Sequence, residues 1–337
     1  MRQINKTGFT LVELMVVLAI LGVVMVGVMG LMTHQNKAYH SEESIIDLQM
    51  NARIAVNQIS RYVRMAGFGC YGNIDSSHPV NSFSSVLNAT DNGSGTPDTL
   101  TIVTAGRAVG IVDDKDSDHS EEFQSISNIP VVKLDSKDKI DELFNNNQKK
   151  YIYIAPCENS DFLTITGAVA SGATTITLNS SIRVKEGAEI FTVKAYSISI
   201  KQPNQYNAPK PPGPNLVIDE NTGGNRQDFA ENIENLQFQY GWDHDTTDTN
   251  PFDPTSSSDW DNDPSGHEDD VKAVRIYVLA RSAYPDREYN PQKRNPPKTF
   301  TINDATASAT AVTVGPFSDQ YHRFLLKTTV MIRNLNL

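Results

Sequence analysis

The 337 residues are enough for one large domain or two modest ones, so core size sets no limit, and a hydrophobic content of 39% is ordinary for a water-facing body. The formal net charge of −11 excludes indiscriminate binding to nucleic acid, whose phosphates are held by Lys and Arg. Catalysis finds little support either: the seven histidines are scattered, and the sequence holds no H-E-x-x-H, G-x-S-x-G or Walker loop.

Apolar weight is concentrated at the N-terminus. Leu14 through Met32, nineteen residues, carry no charge and no strongly polar side chain. As a helix such a run spans about 28 Å, close to the hydrocarbon core of a bilayer. Arg2 and Lys6 precede it and only Lys37 soon follows, so positive-inside logic leaves the N-terminus in the cytoplasm and exports the remainder. No A-x-A pattern closes the run as a secretory cleavage site would; the small residue at a suitable cut, Gly8, stands in front of it. Glu13 is the one acid in this stretch. At that depth a carboxylate costs about 2.5–3.5 kcal/mol on insertion scales unless a partner offsets it.

Helical periodicity continues beyond the apolar run. Apolar side chains recur at Ala38, Ile45, Leu48, Ala52, Ala55, Ile59, Tyr62 and Ala66, while Glu42, Glu43, Asp47, Asn51, Gln58 and Arg61 fall off the stripe. The pattern predicts one helix from about Phe9 to Ala66, apolar all round in its first half and amphipathic in its second, whose stripe needs a sheet to cover it. The helix stops at the glycines of GFGCYGN, residues 67–73. Gly67, Gly69 and Gly72 spell G-x-G-x-x-G, but a dinucleotide site requires a strand before and a helix after. Here a helix precedes and a polar loop follows, and the dinucleotide reading is rejected.

From there the pattern is β. Strands are expected at Thr99–Thr104, Tyr151–Ala155, Phe162–Thr166, Thr174–Leu178, Ile190–Ile200, Ile233–Tyr240, Val271–Ala280, Ala311–Val314 and Arg323–Ile332. The proline-rich stretches PNQYNAPKPPGPN (203–215) and NPQKRNPPK (290–298) read as long loops within one antiparallel-rich head. Cys70 and Cys157 both fall on the exported side, where an oxidising compartment favours a disulfide and two cysteines allow one pairing. The alternative is two unrelated buried thiols.

Residues 243–270 hold ten carboxylates and no Lys or Arg. Such a run repels itself unless it is solvated or holds a cation. Asp259, Asp261, Asp263, Ser265 and Asp270 fall at the first, third, fifth, seventh and twelfth places of an EF-hand-like loop, and oxygen-only ligands favour Ca2+. Against that, the glycine needed at the sixth place is Pro264, so a disordered acidic loop stands beside the calcium reading. Asp243, Asp245 and Asp248 make a poorer cluster, and His244 and His267 read as solvated. Trp242 and Trp260 are expected to cap a sheet edge, and Arg275, Arg281 and Arg323 to face solvent or an assembly interface.

Taken together, a short basic leader ending in Gly8, then Phe9, then Glu13 and an apolar helix, in GFTLVELMVVLAILG, resembles the type IV prepilin signature. Further stretches are similar to PilW-type minor pilins: RYVRMAGFGCYGN, APCENSDFLTIT, IENLQFQYGWDHD, VKAVRIYVLARS and HRFLLKTTVMIRNLNL, in that order along the chain. The resemblance implies an α+β type IV pilin fold. Residues 1–8 would be a cytoplasmic leader, 9–66 the long helix with a transmembrane part near 14–32, and 67–337 an exported β-rich head. It also implies that a prepilin peptidase cuts after Gly8 and methylates the new amine of Phe9. Glu13, one turn away on a helix, would meet that amine in its own or an adjoining subunit and so set axial register. No catalytic residues are implied. The implied partners are other minor and major pilins, the inner-membrane assembly platform and a large tip adhesin. The implied setting is the inner membrane before assembly and the pilus surface after it. Two other readings remain open at this point: a minor pseudopilin of a type II secretion system, and an unprocessed membrane-anchored, calcium-dependent adhesive protein.

Overall fold

The computed structural model describes residues 10–69, 74, 79–93, 95–112, 124–132, 150–157, 163–165, 175–221, 226–243, 252–286, 289, 299–302 and 311–333. It divides into two compact units, ending and beginning at Asp47 and Leu48. One helix, α1, covers Leu11–Met65; the expected start at Phe9 lies outside the described residues.

In the first unit the large apolar side chains from Leu11 to Met32 all stand open, from 77% exposure at Leu11 to 42% at Val28. By length and composition this helix can cross a membrane. Gly22, Gly27 and Gly30 sit in that stretch, and a methyl group added at any of them meets nothing within 4 Å. No contact among the described residues explains three poor helix formers there. Where the apolar run ends, the Thr33 hydroxyl donates back to the carbonyls of Met29 at 3.1 Å and Gly30 at 2.9 Å, satisfying itself on its own helix.

In the second unit α1 buries Leu48, Ala52, Ala55, Val56, Ile59, Ser60 and Val63. Steps of three and four put these on one face, and each fully covered aliphatic there contributes roughly 1.5–3 kcal/mol. Of the expected stripe, Leu48, Ala52, Ala55, Ile59 and Ala66 are buried, Tyr62 and Ile45 are half-buried and Ala38 is exposed. Val56, Ser60 and Val63 widen the face beyond it. The Tyr62 ring lies 4.8 Å from that of Tyr196.

The helix ends as its glycines require. Gly67 and Gly69 take positive φ, 75° and 68°, a left-handed conformation costly for other residues. At Gly69 a Cβ would also lie 2.9 Å from the Ala105 Cβ and 3.0 Å from Tyr153. The emerging chain then bonds to the next strand, Gly67 N–H to Val103 O and Ala105 N–H to Phe68 O.

The first sheet is organised on β6 (Thr175–Lys201), which is flanked at residues 189–193 by β2 (Thr99–Val112) and β4 (Lys150–Cys157). Its N-terminal part pairs with β3 (Gln124–Val132) and β5 (Leu163–Ile165), and its last residues pair with β7 (Asn215–Asp219). β1 (Leu87–Thr90) extends the sheet beyond β2, and β8 (Gln227–Ala230) beyond β7. The second sheet has the order β10 (Trp260–Asp261), β9 (Ile233–Gly241), β11 (Ala273–Arg281), β14 (Arg323–Met331). A short pair, β12 (Phe300–Thr301) with β13 (Thr313–Val314), covers part of it. Phe300 and Ile302 pack there with Tyr277 and Leu279, against Val314, Phe317 and Leu325. Every pairing among these strands is antiparallel.

A polar seam joins the two sheets. Asp98, just before β2, donates its N–H to Leu236 O at 2.8 Å, and its Oδ2 accepts from Phe238 N–H at 3.1 Å. Asn235 and Gln237 reach back to the carbonyls of Gly95 and Thr96. Residues 95–98 are thereby stitched along β9.

The long N-terminal helix and antiparallel β-rich head give the expected α+β arrangement. Two strand expectations merge, since Thr174–Leu178 and Ile190–Ile200 belong to the single β6. Lys185-Glu186-Gly187 falls within that strand, with Gly187 at φ 75°. β3, which contains Pro130, and the short β7 and β8 were not expected.

Candidate functional site

The start of α1 is built around two residues. The Thr10 hydroxyl accepts from Glu13 N–H at 3.3 Å, and Glu13 Oε2 accepts from Thr10 N–H at 3.0 Å and Thr10 Oγ1 at 3.1 Å. This is a capping box: two backbone donors that the helix cannot satisfy itself are satisfied reciprocally, and a negative charge sits at the positive end of the helix. Glu13 is thus positioned by its own helix start. The T-x-x-E spacing was there to be read in the sequence, and the sequence reading missed it. Gly8 and Phe9 lie outside the described residues.

Glu13 opens the exposed apolar surface from Leu11 to Met32. Further along, Ile46, Met50 and Ile54 recur every four residues and remain at 64%, 54% and 36% exposure, so α1 keeps apolar side chains open beyond its uncharged stretch.

The acidic segment is folded where it is described. From Phe252 to Asp270 it lies against the second sheet: Trp260 is fully buried, pairs with Gly241 across β10 and β9, and carries the Arg275 guanidinium 3.7 Å over its ring. These residues are therefore folded rather than disordered, although Asp263, Asp269 and Asp270 stand open to solvent, and Trp260 caps the edge of β9. Trp242 is buried beneath a stacked His267 at 5.2 Å.

The carboxylates of the calcium reading are each engaged locally. Asp259 accepts from Asp253 N–H at 2.8 Å, Asp261 from Asn262 N–H at 2.7 Å, and Asp263 from both Ser265 N–H and its hydroxyl. Asp270 lies 3.5 Å from His267 Nδ1. Among the described residues no three His, Cys, Asp or Glu side chains come together to hold a metal. His244, Asp245 and Asp248 fall outside them.

Cys157 ends β4 opposite Val184, and Cys70 lies outside the described residues. Arg323 corrects an expectation. Its side chain is 4% exposed rather than solvent-facing, clasped by Glu234 and Asp319 and lying 3.6 Å over the Phe317 ring. Arg275 and Arg281 also turn inward in part, donating to the carbonyls of Pro254 and Pro212.

An apolar helix with an acid in its capped first turn, followed without a break by an amphipathic segment buried in an antiparallel β head, defines a membrane-anchored subunit of the type IV pilin class. Residues 4–29 match the prokaryotic N-terminal methylation motif, and residues 201–334 match the family described as type IV pilus-assembly protein W. These matches support a type IV pilin of the PilW type, and pilin-type families are structural assembly proteins and not enzymes. Neither the curated proteins nor the solved structures compared with it contain a match.

Proposed function

We propose that this PilW-type pilin is a minor subunit that primes assembly of a type IV pilus with other minor and major pilins, and that it sits near the filament tip, where it serves adhesion or motility. The observation that supports this reading is the surface from Leu11 to Met32. It is apolar, open, and carried on the helix whose later turns form the head core. Such a surface needs a non-aqueous setting, first the bilayer and then the helices of neighbouring subunits.

In this reading a prepilin peptidase cuts after Gly8 and methylates Phe9. The Glu13 carboxylate then meets a Phe9 amine, which offsets the cost of burying either charge. The head is exported, and Cys70 pairs with Cys157 in the oxidising compartment.

The test is mass spectrometry on sheared filaments and on membranes. The expected product begins at a methylated Phe9, is present in small amounts in the filament fraction, and shifts by two hydrogens on reduction. An intact Met1 in cells bearing normal filaments, or normal piliation without this chain, would overturn the proposal.

A further inference from the structure

The segment at residues 203–207, with β6, β7 and β8, lines an open cleft of about 680 Å³, within the range of about 300–1,000 Å³ usual for small-molecule sites. Register places its walls. Lys201 faces Asn215 across β6 and β7, Ser197 faces Asp219, and Val217 faces Asp228 across β7 and β8. Alternation then puts Lys201, Asp219 and Asp228 on one side of this part of the sheet, where Tyr206 and Arg226 also line the cleft.

The polar groups are held in place. Lys201 Nζ sits 3.9 Å over the Tyr206 ring, Arg226 Nε lies 3.2 Å from Asp219 Oδ2, and Asn215, itself buried, donates to Asp228 Oδ2 at 2.9 Å.

The Tyr206 hydroxyl is turned toward Asp228 and Asn215, so the ring is fixed in the wall, and burial, with that carboxylate beside it, raises its pKa.

Two cations and two carboxylates cancel, so the cleft gives no net attraction to an ion of either sign. Phosphate would meet Asp219 and Asp228, while a metal ion would meet Lys201 and Arg226. What the lining does offer is a set of planar, two-pronged donors and acceptors, from Asp228, Asp219, Arg226, Gln205 and Asn207 beside an aromatic ring. Such groups take neighbouring hydroxyls in pairs. We propose that this cleft is a binding site for a neutral saccharide. The inference does not depend on tip placement, because the purified subunit carries the whole site.

The full-length protein, in a detergent without a sugar headgroup, is titrated with glucose, galactose, mannose, N-acetylglucosamine, lactose and cellobiose. Binding is followed by saturation-transfer NMR, with inorganic phosphate and glycine as charged probes. At least one neutral sugar is expected to saturate, with Kd of about 0.1–10 mM. Arg226→Ala and Asp228→Asn are expected to weaken it by about tenfold or more. Asn207→Ala, on the loop, should also weaken it while leaving the circular-dichroism melt unchanged. No saturable sugar, tighter binding of phosphate or glycine, or variants that melt and bind like the native chain would each overturn the assignment.

Discussion

Arg323 and Glu234 meet in a two-pronged ion pair across the second sheet, Nε to Oε2 at 2.5 Å and Nη2 to Oε1 at 2.9 Å, with Asp319 closing on the same guanidinium from four residues away. Burial alone would disfavour the charge on Arg323, but the bonds to Asp319 and Glu234 outweigh it and raise its pKa. The Asp319 carboxyl is lowered, chiefly by its bond to Arg323.

Removing this arginine leaves two carboxylates facing each other around an emptied slot. Arg323→Met is expected to destabilise the head by about 2–4 kcal/mol, below the full range for buried pairs because Asp319 is partly hydrated. The sign with pH follows from Asp319. Its depressed folded pKa means that its contribution is complete above the unfolded carboxyl value and is lost as pH falls through the folded one. Thermal melts from pH 7 down to pH 3 should therefore show native and variant converging in acid.

Asp98 behaves in the opposite sense. It is 4% exposed, and burial, with a smaller push from Asp91, raises its carboxyl to about 7 despite the N–H bonds from Phe238 and Asn92. An acid whose folded pKa lies above its unfolded value binds a proton in the fold that the unfolded chain has released. Its effect is a loss of stability as pH rises from about 4 to about 7, and a constant penalty beyond. Asp98→Asn keeps an acceptor for Phe238 N–H and removes the titration. The variant should gain about 1–3 kcal/mol relative to the native chain between pH 5 and pH 8. A gap between the two melting curves that does not change over that interval would sink the account.

How much could be read from the residues depends on the range of the interaction. The helix was legible because its signals are local: a nineteen-residue apolar run, a three-and-four periodicity through Leu48, Ala52, Ala55 and Ile59, and glycines after Met65. Strands with clear alternation, such as β9 and β11, were legible for the same reason. β6 was not read as one strand because polar residues at Asn179-Ser180-Ser181 and Lys185-Glu186-Gly187 interrupt its apolar ones. Arg323 read as solvent-facing because its partners are 89 residues back and four residues before it in the chain. The saccharide cleft had no signature at all, since Lys201, Tyr206 and Asp228 converge only through the register of three strands.

Gly69 tests whether the end of α1 is fixed by backbone conformation and close packing together. Its φ of 68° is left-handed, and a methyl group there would press on Ala105 and Tyr153. Gly69→Ala should cost about 1–3 kcal/mol from the two effects. Gly93→Ala, also at positive φ but with open space around it, should lose only the conformational part, about 1 kcal/mol. Equal losses at the two sites in chemical denaturation would show that packing at Gly69 contributes nothing.

Glu13 caps the start of its helix, and the proposed function gives it a second duty in setting register; two substitutions divide them. Glu13→Gln preserves the side-chain acceptor that a capping box needs, since Gln serves at that position, but removes the negative charge. Thr10→Val removes the hydroxyl that accepts from Glu13 N–H at 3.3 Å, a cap worth about 1 kcal/mol, and leaves the charge. If register is set by a carboxylate meeting the amine of Phe9, Glu13→Gln is cleaved normally yet drops out of sheared filaments by about tenfold or more, while Thr10→Val is incorporated at near-native levels. If the acid serves only to start the helix, the order reverses. Immunoblots of the filament and membrane fractions for both variants read the difference directly.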